Sequence, residues 1–218
     1  MLEGLISLIQ FVLNLDEHLI YFVDSYGFLV YVTLFLIIFL ETGVVILPFL
    51  PGDSLIFVAG TISALNYLNI WALFLLITLA AILGDSLNYA IGSFFGKKIV
   101  KSNSLLFNKK YYYRTLDFYR RHGGKTIILA RFIPIIRTFA PFVAGLVSMS
   151  YRHFLIYNVL GGIIWVGLFS IGGFLFGNLP IVQENFSLVI FLIIAFSIIP
   201  IITEIIREKK RLKSAHKG

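Results

Sequence analysis

Hydrophobic residues fill most of this chain, and the polar residues between them divide it into segments of different kinds. In the first segment the polar positions recur three, four or seven residues apart, among Leu, Ile, Val and Phe: Glu3, Ser7, Gln10, Asn14, Glu17 and Asp24. A helix with this spacing has one polar and one apolar face. The pattern therefore predicts an amphipathic helix lying in a membrane interface.

Two longer apolar segments are interrupted by charged residues and prolines. Residues 27–68 are broken at Glu41-Thr42-Gly43, at Pro48 and at Pro51-Gly52-Asp53, and residues 126–150 are broken at Arg131, Pro134, Arg137 and Pro141. Irregular backbone at membrane depth persists only where protein or a water-filled cavity satisfies its polar groups. These two segments are therefore predicted to enclose a polar region.

Three further segments are predicted to be transmembrane helices, at residues 70–96, 153–177 and 181–206. Each has at least the roughly 20 apolar residues that cross a hydrocarbon core of about 30 Å. The first of them contains a charged residue, Asp85. The chain ends in a basic tail, residues 207–218.

An internal similarity relates the two halves of the chain. Residues 57–63, Phe-Val-Ala-Gly-Thr-Ile-Ser, recur as residues 142–148, Phe-Val-Ala-Gly-Leu-Val-Ser. Each copy follows a proline-broken segment with two charges and precedes a long apolar helix, and repeats of this kind are common in transporters. The prediction is a single membrane domain over residues 1–206, with repeat one at about 1–96, repeat two at about 97–177 and a final transmembrane helix at 181–206.

Basic residues predict how these segments are oriented. No Lys or Arg precedes Lys97, whereas nine lie in residues 97–125, and the tail is basic again. Both regions are therefore expected in the cytoplasm, with residues 97–125 forming a basic, tyrosine-rich helix that rests on an anionic leaflet. The transmembrane helices at 153–177 and 181–206 lie between these two cytoplasmic regions and together bring the chain back to the cytoplasm. Residues 126–150 must then enter and leave the membrane on the same side, so they are predicted to be a re-entrant hairpin. The two repeats are then inverted, and residues 28–65 form the matching hairpin from the other face.

Composition narrows the class of protein. Of the 218 residues 59% are hydrophobic and only 13% are charged, a balance that does not suit a soluble domain. The net charge of +7 comes from residues that flank apolar spans, so nucleic acid is not an expected partner. With no cysteine and four scattered histidines, we predict no catalytic residue, metal site or cofactor. Self-association into a homo-oligomer stays open.

Four charges within the broken segments form the candidate site. Glu41 and Asp53 lie in the first hairpin, and Arg131 and Arg137 lie in the second. Left unpaired in the membrane they would cost roughly 10–14 kcal/mol, at 2.5–3.5 kcal/mol each. Two arginines suit paired hydrogen bonds to a phosphate, and a carboxylate nearby could carry a proton. The alternative is that the ion pairs only hold the hairpins together.

A polar face on the helix at residues 70–96 is the other candidate feature. Asp85, Asn88, Tyr89 and Gly92 recur at helical spacing. These residues either line the same cavity or form a contact between helices. Trp165 and Tyr157 are expected to be interface anchors or packing residues.

Two long motifs resemble the bacterial DedA family, and in particular its namesake branch. The first motif consists of residues 39–43, Phe-Leu-Glu-Thr-Gly, and residues 48–60, Pro-Phe-Leu-Pro-Gly-Asp-Ser-Leu-Ile-Phe-Val-Ala-Gly. The second is residues 122–145, which contain Ala-Arg-Phe-Ile-Pro-Ile-Ile-Arg. The resemblance covers nearly the whole chain. It implies two inverted hairpin repeats in the bacterial cytoplasmic membrane and transport of lipids such as undecaprenyl phosphate or phosphatidylethanolamine, dependent on the proton motive force. It places the family's essential acids on Glu41 and Asp53 and its essential arginines on Arg131 and Arg137.

The leading hypothesis is therefore a flippase or scramblase for a phosphate-bearing lipid. Arg131 and Arg137 would bind the phosphate headgroup, and Glu41 and Asp53 would serve proton coupling or gating. The alternatives are a small-oxyanion transporter and a structural membrane protein whose ion pairs only stabilise the hairpins. An enzyme such as a lipid phosphatase is not favoured, because the chain has no histidine and serine motif of that kind.

Overall fold

The computed structural model describes residues 25–44, 52–101 and 109–185, together with Val189 and Leu192. Within these residues every element is helical, so the all-α prediction is confirmed for this part of the chain. The predicted amphipathic helix before residue 25, most of the predicted span 181–206 and the basic tail lie outside the described residues.

Eight α-helices follow one another along the described chain. They are α1 (Phe28–Gly43), α2 (Gly52–Ala64), α3 (Ile70–Lys101), α4 (Lys109–His122), α5 (Thr126–Ala130), α6 (Pro134–Leu146), α7 (Tyr151–Gly177) and α8 (Pro180–Glu184). A single 3₁₀ turn, Gly123–Lys125, connects α4 to α5. The helix predicted at 70–96 is thus five residues longer at its C-terminal end, where it continues into basic residues.

Helices α3 and α7 are long and apolar enough to cross a membrane. The start of α3 is set by Asn69, whose side-chain oxygen accepts hydrogen bonds from the backbone N–H groups of Trp71 and Ala72, both at 3.0 Å. Only 39% and 33% of the two apolar windows are buried, whereas a core helix of a soluble protein is mostly covered. The exposed face of α3 is a stripe of large apolar residues four positions apart, Trp71, Leu75, Leu79, Leu83 and Leu87. Such a face suits contact with lipid.

Helices α1, α2 and α6 are too short to cross a membrane alone. They have 16, 13 and 13 residues. At 1.5 Å per residue they extend about 24, 20 and 20 Å, against about 30 Å for the hydrocarbon core. Helix α6 begins where Pro134 follows the extended residue Ile133, which is the backbone a residue before proline prefers.

Glycines bring the two halves of the chain into close contact. Helix α2 packs on α7, where a Cβ atom at Gly60 would overlap the carbonyl of Ser170 and one at Gly173 would overlap the carbonyl of Phe57. Helix α6 packs on α3 through the same kind of contact. There, a Cβ at Gly145 would overlap the carbonyl of Tyr89, and one at Gly92 would overlap that of Phe142. Each half therefore packs its short helix against the long helix of the other half.

Helix α4 packs its apolar face on protein. Tyr112, Leu116 and Tyr119 cover the buried residues of α6, and the Tyr119 hydroxyl donates to the carbonyl of Ala140 at 2.9 Å. Burial raises the pKa of Tyr119, so this phenol stays protonated as a donor. The other face is exposed and carries Arg120 and Arg121. Part of the tyrosine-rich component thus packs on α6, and the predicted range 97–125 is divided between the end of α3 and α4. Contact of the basic face of α4 with an anionic leaflet stays a prediction.

Candidate functional site

The two acidic residues of the first broken segment lie at facing helix ends. Glu41 is in the last turn of α1 and is fully buried, while Asp53 is in the first turn of α2 with 36% of its side chain exposed. Between them, the backbone of Gly52 lies directly against the Glu41 carboxylate, so that a Cβ atom at position 52 would overlap Oε2. Glycine at this position therefore allows α2 to begin beside a buried acid.

One arginine pairs with both acids. Arg137, in α6, is 8% exposed. Its Nη2 pairs with Glu41 Oε1, and its Nη1 donates to Asp53 Oδ1 at 2.6 Å. The guanidinium thus joins the end of α1, the start of α2 and the interior of α6.

The second arginine has different partners. Arg131 lies in the turn between α5 and α6 and is 4% exposed. Its Nη2 is 2.5 Å from Asp85 Oδ2 on α3 and 2.5 Å from the side-chain oxygen of Asn158 on α7. The Asn158 amide in turn donates to the carbonyl of Ile82 at 3.1 Å, which orients its oxygen toward the guanidinium. Arg131 therefore pairs with neither Glu41 nor Asp53, although the sequence places all four charges in one candidate site.

Trp165 joins the two groups of charges. This α7 residue is 1% exposed, and its ring centre is 5.8 Å from the Cζ atom of Arg131 and 5.5 Å from that of Arg137. The indole Nε1 donates to Asp53 Oδ1 at 2.9 Å. One aromatic residue thus contacts both cations and one of the acids.

The two guanidiniums keep hydrogen-bonding capacity that the described residues do not use. Arg131 Nε and Arg137 Nε are buried without a partner there, and so is Glu41 Oε2. Buried polar groups are normally satisfied, so these three atoms are exceptions within the described part of the chain. A small cavity of about 10 Å³, near the size of one water molecule, lies beside the two arginine residues. Its lining residues are Thr42, Asp85, Ile127, Arg131, Arg137 and Trp165.

The site carries an excess of acid. Glu41, Asp53 and Asp85 face Arg131 and Arg137, so the five groups sum to one negative charge if all are ionised. An uncompensated buried charge is costly. A proton bound to one carboxylate would make the site neutral.

The three polar residues predicted on α3 have different positions. Asp85 lines the small cavity and pairs with Arg131. Asn88 does not line it: its amide donates to the carbonyls of Thr42 at 3.1 Å and Thr138 at 2.7 Å, and so joins α3 to α1 and α6. Tyr89 also lies apart from the cavity, with its hydroxyl on the carbonyl of Met149 and its ring stacked on Phe154.

Two residues of the site were not predicted from the sequence. Asn158 carries the only side-chain amide within α7, and Trp165 follows it by seven positions, so both lie on one face of that helix. An isolated polar side chain in a membrane span is a signal for function in the same way that a charge is. The signal in the sequence that points to Trp165 is therefore its position on the same face of α7 as Asn158.

A helical chain with two apolar spans, lipid-suited surfaces and a buried charged centre has the features of a membrane protein. Comparison with known proteins gives the family. Residues 50–175 match the VTT domain. The chain is 54% identical to the protein DedA of Escherichia coli over 213 residues, covering 96% of this chain and 97% of that protein. The chain belongs to the DedA family.

More distant relatives are also named as membrane proteins. An uncharacterized membrane protein of Mycobacterium leprae is 41% identical over 75% of this chain and 74% of its own length. The inner membrane protein YghB of Escherichia coli is 33% identical over 72% of each chain. No solved structure matches the chain.

Proposed function

We propose that this protein moves a phosphate-bearing lipid across the bacterial cytoplasmic membrane, as a flippase or scramblase, and that it is not an enzyme. The observation that carries the proposal is the pair of buried arginines from one proline-broken segment, which line the same cavity and each keep an Nε donor that has no partner among the described residues. Guanidinium groups bind phosphate oxygens through paired, charge-assisted hydrogen bonds. Undecaprenyl phosphate and phosphatidylethanolamine, which the family resemblance suggests, both carry such a group.

The site in its described conformation is closed. A cavity of about 10 Å³ cannot hold a phosphate group, so binding requires that some of the ion pairs open. Asp53 is the most exposed of the three acids and lies at the first turn of α2. Release of the Asp53 side chain from Arg137 therefore breaks the more exposed of the two Arg137 ion pairs, and it would free Nη1 for a phosphate oxygen.

Protons provide a means of controlling this opening. Protonation of Glu41 or Asp53 removes a competing anion from Arg137 and leaves the guanidinium available for phosphate. The excess of acid over arginine in the site supports this step, because one proton balances the charge of the closed state. Proton coupling is therefore part of the proposal.

The proposal includes two inverted re-entrant hairpins with the C-terminus in the cytoplasm. Contacts at both hairpins support it. The backbone N–H of Asn69, after α2, donates to the hydroxyl of Tyr31, near the start of α1, at 2.7 Å. Gly124, before α5, lies against His153, near the start of α7. Both contacts join the two ends of a broken segment, as a hairpin that returns to its starting side requires.

Transport of a labelled lipid in proteoliposomes tests the proposal. We expect the parent to move phosphate-bearing lipid, and we expect Arg137→Gln and Glu41→Gln to lower the rate by at least about tenfold at matched amounts of folded protein. Arg121→Gln is the matched control, because it removes an arginine that is 70% exposed and whose ion pair, within the described residues, is with Asp117 on its own helix. If the parent moves no lipid but takes up inorganic phosphate, the substrate is a soluble oxyanion and not a lipid. If the parent moves neither, and the variants lose only stability, the ion pairs are structural.

A further inference from the structure

The mid-helix tryptophan of α7 has contacts that packing alone does not explain. Its ring faces two guanidiniums, its N–H is used by Asp53, and almost none of it is exposed. A second α7 residue of the site, Asn158, lies two helical turns before Trp165 and accepts a hydrogen bond from Arg131. Helix α7 thus directs two uncharged side chains at the two arginines.

We propose that Trp165 is a positioning residue for the phosphate site, which holds both guanidiniums in place while their hydrogen-bond partners change. The inference rests on the proposed function and assigns a role within it. It predicts that Trp165 affects the rate of transport and senses occupation of the site, beyond any effect on folding.

The chemistry of the contact supports this role. A cation attracted to the face of an aromatic ring is held by the ring's quadrupole, so the interaction uses none of the N–H donors. Arg137 can therefore exchange Asp53 for a phosphate oxygen without leaving the ring. Two like charges also repel each other in a dry site, and a ring near both cations reduces that penalty.

The indole N–H adds a second function that other aromatic rings lack. Asp53 Oδ1 accepts from Trp165 and from Arg137, at 2.9 and 2.6 Å. When Arg137 leaves Asp53, the indole remains as a donor to the same oxygen. Trp165 thereby gives the acid a partner during opening and keeps α2 near the position from which the site closes again.

Two substitutions separate these contributions. Trp165→Leu removes both the ring and the N–H, and we expect transport per folded protein to fall by at least about tenfold. Trp165→Phe keeps an aromatic face and should fall between Trp165→Leu and the parent. Trp71→Phe is the control, since Trp71 is 67% exposed on the outer face of α3 and should transport at the parental rate. If the parent moves lipid and Trp165→Leu moves it at the same rate, this inference is wrong and the proposed function stays intact.

Fluorescence gives a readout that a purely structural role would not move. The chain has two tryptophans, so Trp71→Phe leaves Trp165 as the sole emitter. Short-chain phosphatidic acid is the probe, diacylglycerol with the same acyl chains is the neutral control, and inorganic phosphate tests the soluble anion. We expect a saturable change in emission with phosphatidic acid and none with diacylglycerol. If lipid is transported but emission does not respond to saturating phosphatidic acid, Trp165 does not contact the occupied site and the inference is wrong.

If the parent moves no lipid at all, the proposed function fails first and this role fails with it. The transport rate of the parent therefore distinguishes the two failures. A change in emission produced equally by inorganic phosphate would keep the positioning role and assign the site to phosphate as such.

Discussion

At the scale of single residues, the two arginines differ in what they connect. Arg137 pairs with Glu41 and Asp53 from the first broken segment, whereas Arg131 pairs with Asp85 from a membrane-spanning helix. The described structure thus contains two separate ion-pair groups joined by Trp165. Stability measurements can separate these groups without any assay of transport.

The pairing predicts which double substitutions restore stability. Arg131→Gln leaves Asp85 as an unpaired buried charge, a change that costs about 3–5 kcal/mol of unfolding free energy, and Asp85→Asn added to it should recover a large part of that loss. Glu41→Gln added to Arg131→Gln should recover little. Unfolding of purified protein in detergent measures the three variants.

The exposed pair of Arg121 and Asp117 is the control for this comparison. Its partners are 70% and 54% exposed, and its coupling should stay below about 1 kcal/mol. Equal recovery by Asp85→Asn and Glu41→Gln would show that the two ion-pair groups are not distinct.

At the scale of helices, close packing depends on glycines that face carbonyl groups. Gly172 and Gly173 are neighbours on α7 with different surroundings. A Cβ atom at Gly173 would overlap the carbonyl of Phe57, whereas one at Gly172 would lie 3.9 Å from the Phe57 ring, an ordinary contact. The pair provides a matched test of the contact between α2 and α7.

Gly173→Ala should lower the unfolding free energy by about 1–3 kcal/mol, because the two backbones must move apart. Gly172→Ala should be neutral or stabilise the protein by up to about 1 kcal/mol, since alanine is the better helix former. Thermal unfolding of both variants in one detergent compares them. Equal destabilisation would contradict the described packing of α2 on α7.

The hydrogen bond between α4 and α6 should make a contribution to the free energy of unfolding that does not change with pH over a wide range. Tyr119→Phe removes the hydrogen bond to Ala140 and should cost about 1 kcal/mol. Burial raises the pKa of Tyr119 above its ordinary value near 10, so the stabilising neutral phenol persists below that pH and is lost only above it. The difference from the parent should therefore be constant between about pH 6 and 9.

Tyr113→Phe is the control for this prediction, because Tyr113 is 61% exposed on the same helix. Urea or thermal unfolding at several pH values measures both differences. A Tyr119→Phe difference that disappears well below pH 9 would show that the phenol is not held as a buried donor.

At the scale of the whole molecule, hydrophobic periodicity and proline positions predict the helices well. The predicted 153–177 corresponds to α7 at Tyr151–Gly177, and the break at Arg131 to Pro134 corresponds to the turn between α5 and α6. The pairing within the site could not be predicted, because sequence spacing does not determine which carboxylate faces which arginine. The sequence predicts an interface anchor or a packing residue at Trp165, because tryptophan in a membrane span most often lies at the interface, and only the folded chain places it between charges.

The proposed inverted topology leads to a prediction that this chain is suited to test, since it has no native cysteine. Four single-cysteine variants probe the topology. Asn66→Cys and Asn178→Cys lie just after α2 and α7, whereas Arg121→Cys lies before the second broken segment and Ser148→Cys lies at its end. In intact cells or spheroplasts an impermeant maleimide should label the first two from outside, and should label Arg121→Cys and Ser148→Cys only after the membrane is opened. Hairpin return requires that Arg121→Cys and Ser148→Cys behave alike, because residues 126–150 would begin and end on one side. Labelling of these two positions from opposite sides would mean that the segment crosses the membrane, and the inverted-repeat arrangement would then be wrong even if the ion pairs are as described.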